Sequence, residues 1–292
     1  MDRKQADCPL CGSAGHRVLR RYAAHHLVRC DRCQFVYTSL RPSEEELLKA
    51  YASYPVHEEL SPVTALRYDE LLDRFEPYRK HNRLLDVGCG AGLFLERAAQ
   101  RGWEVQGTEY GELAVNACRE RGIKIDQGPL DPNAYPEGHF DVVCSFEVIE
   151  HVVRPIEELR HMRQVLRLGG LMYITTPNFD CVGRWMGRGK WNVVHYPEHL
   201  SYFTARTLRD AAKRVDLEEK WLETTGFSVG RWRSSLTKDP EKKMAVRGSD
   251  ETLRRRIEDD RLLRFGKRTI NALLDLFKIG DSMKGAWEKH VQ

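Results

Sequence analysis

The chain has 292 residues, 41% of them hydrophobic, which is enough for one ordinary α/β domain with a real core plus a small appendage. Its 47 basic and 43 acidic side chains nearly cancel, and a formal net charge of +4 gives no argument for nucleic acid or an anionic membrane as partner. No apolar run reaches the roughly 18 residues of a membrane span, and Met1-Asp2-Arg3-Lys4-Gln5 lacks the apolar stretch of a signal peptide, so a soluble cytoplasmic protein is expected.

Four of the eight cysteines stand in pairs with metal-site spacing. Cys8-Pro9-Leu10-Cys11 and Cys30-Asp31-Arg32-Cys33 are separated by 18 residues, the pattern of a four-thiolate zinc site. Such a site is closed to water and structural, and residues 1–41 hold too few apolar side chains to fold without it. Its nearby histidines, His16, His25 and His26, are therefore read as surface or pocket residues. Arg17, Arg20, Arg21, Arg29 and Arg32 lend some charge to a nucleic-acid reading, but Leu27 to Thr38 looks like an ordinary β-hairpin with no ladder of stacking aromatics.

Ser43 followed by Glu44, Glu45 and Glu46 is a helix start. Helical patterns over 44–51 and 62–79, the latter with Leu66, Leu71, Leu72 and Phe75 on one face, make 42–82 a helical linker and lid, expected to lie against the sheet of the next domain and over its cofactor site. That domain, 83–292, opens on Arg83-Leu84-Leu85-Asp86-Val87-Gly88-Cys89-Gly90-Ala91-Gly92-Leu93-Phe94. An apolar run reads as a buried strand, and the glycines mark a tight strand-to-helix turn. Gly88, Gly90 and Gly92 would let the backbone approach a ligand at a helix N-terminus. A dinucleotide fingerprint would need glycine or alanine where Leu93 stands.

With Asp86 before it, this Gly-x-Gly-x-Gly turn resembles motif I of class I S-adenosylmethionine (SAM) methyltransferases. Glu109, 23 residues after Asp86, ends the second strand, where folds of this kind grip ribose hydroxyls. The resemblance gives it the SAM ribose, and places the Gly128-Pro129-Leu130 turn beside the adenine. A helix from Leu93 to Arg101, a strand over 102–109, a helix over 113–121, a strand over 124–126 and a buried strand ending at Phe146 sustain a β/α alternation. That pattern predicts a doubly wound, Rossmann-like, seven-stranded and mostly parallel sheet. Phe146 falls at the strand end where such sheets bind ligands, and is assigned to the cofactor site.

The chemistry is expected just beyond. In Glu147-Val148-Ile149-Glu150-His151, a helical turn would set Glu147, Glu150 and His151 on one face. His151 could serve as general base, the three could bind a second, divalent metal, as the resembling ubiquinone-pathway enzymes suggest, or they could orient the loop. Pro155 opens a helix expected to end at Gly169-Gly170, followed by a strand over 171–176. Residues 180–204, with Trp185, Met186, Trp191, His195, Tyr196, Glu198 and His199, look like a substrate loop. Tyr196-Pro197-Glu198-His199 resembles the Tyr-x-Glu-His segment used for proton abstraction in zinc-ribbon sugar C-methyltransferases, so Tyr196, Glu198 and His199 join the catalytic candidates. A sixth strand is expected over 222–227. Residues 230–280 read as a basic connection and a helical insertion with Leu253, Ile257, Ile270, Leu273, Leu274 and Phe277 on one side. Intramolecular packing is ranked first for it, ahead of a lid, a homodimer contact or a membrane surface. Gly280 to Lys289 resembles the final strand, which would make the chain complete.

The whole resembles a ubiquinone-pathway-type class I methyltransferase with an N-terminal zinc ribbon. It implies SAM and structural zinc as cofactors and methylation of a small-molecule acceptor in natural-product or surface-sugar tailoring, chiefly O-methylation with a histidine base. Alternatives are C-methylation of a nucleotide-linked sugar, weakened because those enzymes usually carry a further C-terminal domain, a macromolecule methyltransferase docking through the ribbon, and a non-catalytic SAM-binding scaffold.

Overall fold

A computed structural model describes residues 3–43, 45–47, 59–187, 189, 191–226 and 260–290. The described strands are β1 (His16–Val18), β2 (Leu27–Cys30), β3 (Val36–Thr38), β4 (Arg83–Val87), β5 (Glu104–Glu109), β6 (Lys124–Gln127), β7 (Phe140–Phe146), β8 (Leu166–Pro177), β9 (Ser201–Tyr202), β10 (Leu217–Thr225) and β11 (Ser282–Lys289). The helices are α1 (Pro62–Phe75), α2 (Leu93–Gln100), α3 (Glu112–Glu120), α4 (Pro155–Val165), α5 (Val182–Gly187), α6 (Ala205–Lys213) and α7 (Arg261–Leu276). They divide into a ribbon unit, made of Met1–Arg41, Pro177–Leu208 and Leu222–Lys284, and a sheet unit, made of Pro42–Thr176, Arg209–Trp221 and Gly285–Gln292.

The large sheet has the order β10-β11-β8-β7-β4-β5-β6, with β4 parallel to β5 and β7, β5 parallel to β6, and β7 parallel to β8. Parallel neighbours need crossovers, and helices covering a sheet bury its strands on both faces. That is why β4 is a nearly unbroken apolar run, with Leu84, Leu85 and Val87 all buried. The chain builds outward from β4 through β5 to β6, then returns to lay β7 on the other side of β4. The C-terminal end of β4 is therefore a topological switch point, where open α/β sheets take ligands.

Helix α1 packs Leu71, Leu72 and Phe75 into this core, and Phe75 meets Tyr173 edge-on at 5.5 Å. Leu66, expected on the same face, is exposed. At the base of β7 the Asp141 carboxylate accepts from the N–H groups of Lys80, His81 and Arg83 at 3.0, 2.6 and 3.3 Å and from Arg167 Nε at 2.5 Å. Burial opposes its charge, but the guanidinium and the three N–H groups win and hold its pKa below the usual carboxylate value.

Gly169-Gly170 does not end α4, which stops at Val165. The two glycines lie inside β8, where pairing jumps from Phe140↔Leu166 to Val142↔Leu171. Gly169 has φ +69, and a Cβ on Gly170 would stand 2.9 Å from the Asp141 carbonyl oxygen. The glycine pair is a β-bulge rather than a helix cap. Strand β10 begins at Leu217, ahead of the expected 222; Leu217 is buried, and the polar run Glu218, Glu219 and Lys220 that follows it is exposed and carries no apolar period to mark a strand.

In the ribbon unit β1-β2-β3-β9 form an antiparallel sheet. The expected hairpin thus gains β1 on one side and β9 on the other, with Val36 opposite Tyr202. Its core joins Tyr22, Leu27 and Val36 to Phe179, Trp191, Val193, Val194 and Tyr202. Helix α7 is tied in by Thr224, whose N–H donates to Asp275 Oδ1 at 2.6 Å, and by Gly226 N–H to Asn271 Oδ1 at 3.1 Å. Of the expected stripe, Ile270, Leu273 and Phe277 are exposed and Leu274 is half-buried. Leu253, Ile257, most of the 44–51 helix and all of residues 230–250 of the expected connection lie outside the described residues. Among the described residues no helix is long and apolar enough to cross a membrane.

Candidate functional site

The glycine turn wraps over the end of β5, with the N–H groups of Gly88 and Cys89 both donating to the Thr108 carbonyl at 2.9 and 3.0 Å. Gly88, Gly90 and Gly92 have φ of +74, +55 and +75, a region where side chains are disfavoured. Their surroundings differ. A Cβ on Gly88 would lie 2.5 Å from Val148 Cγ2, and one on Gly92 2.6 Å from Ile123 Cδ1, whereas one on Gly90 would meet nothing within 4 Å. Packing requires the outer two glycines. Of the three, only Gly90 has free space where a Cβ would stand.

Glu109 reaches this same opening. Its Oε2 accepts from Gly90 N–H at 2.9 Å, and its Oε1 from Tyr110 and Gly111 N–H at 2.8 and 2.9 Å. Beneath the turn, Asp86 is 2% exposed, and its Oδ1 is buried without a hydrogen-bond partner. Burial raises its pKa well above the carboxylate norm, a hydrogen bond from Cys144 opposes the rise, and the charge of Glu109 adds to it. An orphaned acceptor under an open backbone N–H turn suits a ligand that brings its own donors. Gly128 N–H donates to the Glu109 carbonyl at 2.9 Å, which sets the Gly128-Pro129-Leu130 turn beside Glu109; Leu130 is buried and Pro129 exposed. Phe146, at the end of β7, packs edge-on with Phe94 at 4.9 Å.

Residues 147–151 do not make the expected helical face. Glu147 has φ +55 and is exposed, its N–H donating to the Thr175 carbonyl at 3.0 Å. The turn starts only at Val148, whose carbonyl accepts from His151 N–H at 2.9 Å. Glu150 is buried, accepting from Thr176 Oγ1 at 2.9 Å. Among the described residues Glu147 belongs to no group of three potential metal ligands, so the three-residue site read from i, i+3, i+4 spacing is not formed.

In the ribbon unit Cys8, Cys11, Cys30 and Cys33 converge, all four Sγ atoms lying within 4.8 Å of one another. The Cys8–Cys33 and Cys11–Cys30 sulfurs are 3.6 and 3.5 Å apart, close to the edge of about 3.8 Å that a tetrahedral site with ~2.3 Å zinc–sulfur bonds requires. Each knuckle closes by a backbone bond, Gly12 N–H to Cys8 and Gln34 N–H to Cys30. The hydrogen bond from Cys8 lowers the Cys33 thiol to about 5, and the same bond raises Cys8.

The segment carrying Tyr196, Glu198 and His199 packs on this ribbon. Tyr196 N–H donates to His25 Nδ1 at 3.4 Å, its ring meets His26 edge-on at 5.1 Å, and Arg3 donates to its hydroxyl at 2.9 Å. Glu198 reaches His195 Nδ1 at 3.1 Å and His199 Nε2 at 4.0 Å. Burial, then the charges of His195 and His26, lower the pKa of His25, favouring a neutral ring. Sequence reasoning set His25 and His26 aside; their only signal was adjacency beside a cysteine knuckle. Trp191, read as a pocket aromatic, is instead core, buried against Phe179 at 6.1 Å, while Trp185 and Met186 are exposed. His151 lies in the sheet unit, and Tyr196, Glu198 and His199 in the ribbon unit.

A family profile described as a methyltransferase domain matches residues 61–220. The chain is 35% identical over 153 residues to a ubiquinone biosynthesis O-methyltransferase of Roseobacter denitrificans, covering 46% of this chain and 61% of that protein. It is 32% identical over 185 residues to one of Caulobacter sp. strain K31, covering 56% and 71%. It thus spans less than two thirds of the first relative's length. Among solved structures, a putative sarcosine dimethylglycine methyltransferase from Galdieria sulphuraria aligns with TM-score 0.54 at 14% identity, over 84% of this chain and 97% of that one. A SAM-dependent methyltransferase from Archaeoglobus fulgidus aligns with TM-score 0.51 at 17% identity, over 85% and 100%. At such identities these two show the fold.

Proposed function

The chain belongs to the SAM-dependent methyltransferases, and from that premise we propose that it methylates a hydroxyl of a small-molecule acceptor, with a histidine taking the hydroxyl proton. The observation that carries the cofactor half is Glu109 bonded to Gly90 N–H beside the open face of Gly90. Glu109 would hold ribose hydroxyls, Asp86 a cationic or N–H group of the cofactor, and Leu130 and Phe146 its apolar flanks. Bound SAM supplies a methyl group activated on a sulfonium.

The acceptor half is supported by the relatives' names, which describe O-methylation in ubiquinone biosynthesis. Two histidines are the candidate bases of this reading. His151 follows Glu150 in the turn after β7, and His199 has Glu198 beside it. A neutral imidazole suits this task near pH 7. Carbon methylation of a nucleotide-linked sugar is the second reading, favoured by Tyr196, Glu198 and His199 standing in one segment against His25 and His26. Cys8, Cys11, Cys30 and Cys33 would hold zinc with no open coordination position, so the ion would serve the ribbon's fold and not the reaction. Four cysteines engaged as zinc thiolates rather than disulfides fit a reducing, cytoplasmic setting.

The test is SAM titration by calorimetry, followed by methyl transfer from labelled SAM to phenolic and catecholic acceptors. Replacing the true base by alanine should lower kcat by about 10²–10⁴-fold with SAM affinity unchanged. Label appearing on carbon of a nucleotide-linked sugar, and on no hydroxyl acceptor, would replace the first reading by the second.

A further inference from the structure

Two thiols used neither by the cofactor reading nor by the zinc reading lie against the glycine turn. Cys89 sits between Gly88 and Gly90, and Cys118 is on α3. Their Sγ atoms are 3.8 Å apart. Both lean on one acceptor, the Gly90 carbonyl, Cys118 at 3.2 Å and Cys89 at 3.7 Å. Cys118 is fully buried and Cys89 partly exposed.

Glycines make the room for these sulfurs. A Cβ on Gly107 would stand 2.6 Å from Cys89 Sγ, and one on Gly92 2.9 Å from Cys118 Sγ. Each sulfur is backed by chain on one side and faces the other across its open side. The hydrogen bond between the two sulfurs lowers the pKa of the Cys118 thiol against the opposing effect of burial, and the same bond raises that of Cys89.

We propose that Cys89 and Cys118 are an oxidative modification site, at which a peroxide joins them into a disulfide that shuts the glycine turn to SAM. The functional half rests on the cofactor reading above. Peroxide oxidises the thiol of Cys89, the less buried of the two residues, to the sulfenic acid, releasing one water. Cys118 sulfur then attacks Cys89 sulfur, and the sulfenic hydroxyl leaves with the Cys118 proton as a second water. The two thiols lose two electrons and the peroxide gains them.

Closing 3.8 Å to a bond of about 2.05 Å ties α3 to the glycine turn at Cys89, whose N–H donates to Thr108, beside Gly90, whose N–H donates to Glu109. The Gly90 carbonyl also loses the S–H groups that lie against it. The element so constrained is the one that opens toward the cofactor.

The experiment treats the full-length, zinc-loaded protein with hydrogen peroxide, maps disulfide-linked peptides by mass spectrometry, and titrates SAM before treatment, after it, and after dithiothreitol. The expected result is a Cys89–Cys118 crosslink, a loss of SAM affinity of at least about tenfold, and recovery on reduction, with both crosslink and peroxide response abolished in Cys118→Ala. Absence of that crosslink in the wild-type protein overturns the proposal. So does a crosslink that leaves SAM affinity within about twofold. Reduced protein that binds no SAM would overturn the cofactor reading, and this switch with it.

Discussion

Alanine at Gly90 and alanine at Gly92 should have opposite consequences. Both positions have left-handed φ, +55 and +75, so each substitution costs about 1–2 kcal/mol of backbone strain. At Gly92 the new methyl would also lie 2.6 Å from Ile123 Cδ1 and 2.9 Å from Cys118 Sγ, adding about 1–3 kcal/mol of overpacking. Gly92→Ala should therefore lose about 2–5 kcal/mol, a large share of the ~5–15 kcal/mol that holds a domain together. At Gly90 a methyl meets nothing within 4 Å, so stability should fall only by the strain. That methyl would fill the space through which a cofactor approaches the turn, and SAM affinity should fall by about 100-fold or more. Urea unfolding without SAM and calorimetric SAM titration separate the two effects. Gly90→Ala binding SAM within about threefold of the parent chain, or losing as much stability as Gly92→Ala, would refute the assignment of Gly90 to ligand and Gly92 to packing.

Glu109→Gln keeps the side chain's size but removes its charge, and charge-assisted hydrogen bonds are worth about 1.5–3 kcal/mol each. SAM affinity should drop by about 10–100-fold, and an unchanged calorimetric Kd would remove Glu109 from the cofactor site. Asp141→Asn leaves the half-buried Arg167 guanidinium without its anion and should cost about 3–5 kcal/mol at pH 7. Because the folded pKa of Asp141 is depressed, its stabilisation is complete above the unfolded-state pKa and is lost as pH falls through the folded value. The gap between parent and variant in urea unfolding should shrink below about pH 4, and a gap constant down to acid pH would contradict the ion pair. Chelation of zinc should loosen the ribbon unit, whose core holds Trp191, and its near-UV circular dichroism should fade. An unaltered tryptophan signal in metal-free protein would show that the ribbon folds without zinc.

The parts of this molecule legible in its sequence are those written in local spacing. A two-residue gap between cysteines dictates a knuckle, and alternating glycines after an apolar run dictate a strand-turn-helix. An acid at the next strand's end then lands beside that turn, as the Glu109–Gly90 bond shows. The β/α alternation gives the parallel sheet through the same short-range signals, since each strand and helix carries its own apolar period. Misplaced features are those where one pattern serves two structures. Gly169-Gly170 suits a helix cap and a bulge equally, and the bulge prevails because the Asp141 carbonyl crowds the second glycine. Glu147 fits a helical period, but the chain turns through left-handed φ there and takes it off the face of Glu150.

By itself, then, the sequence determined the four-thiolate knuckles, the glycine turn with its paired acid, and the order of strands and helices. Each knuckle, turn, strand and helix depends on residues within a few positions of one another, and known spacings of about 20 residues pair one knuckle with the other and the acid with the turn. Tertiary structure alone decided that β9 completes the ribbon sheet, that His25 and His26 meet Tyr196, that of Gly88, Gly90 and Gly92 only Gly90 has free space where a Cβ would stand, and that Cys89 faces Cys118. These join residues far apart in the chain. Whether such residues touch is set by the packing of whole elements, which no local period records.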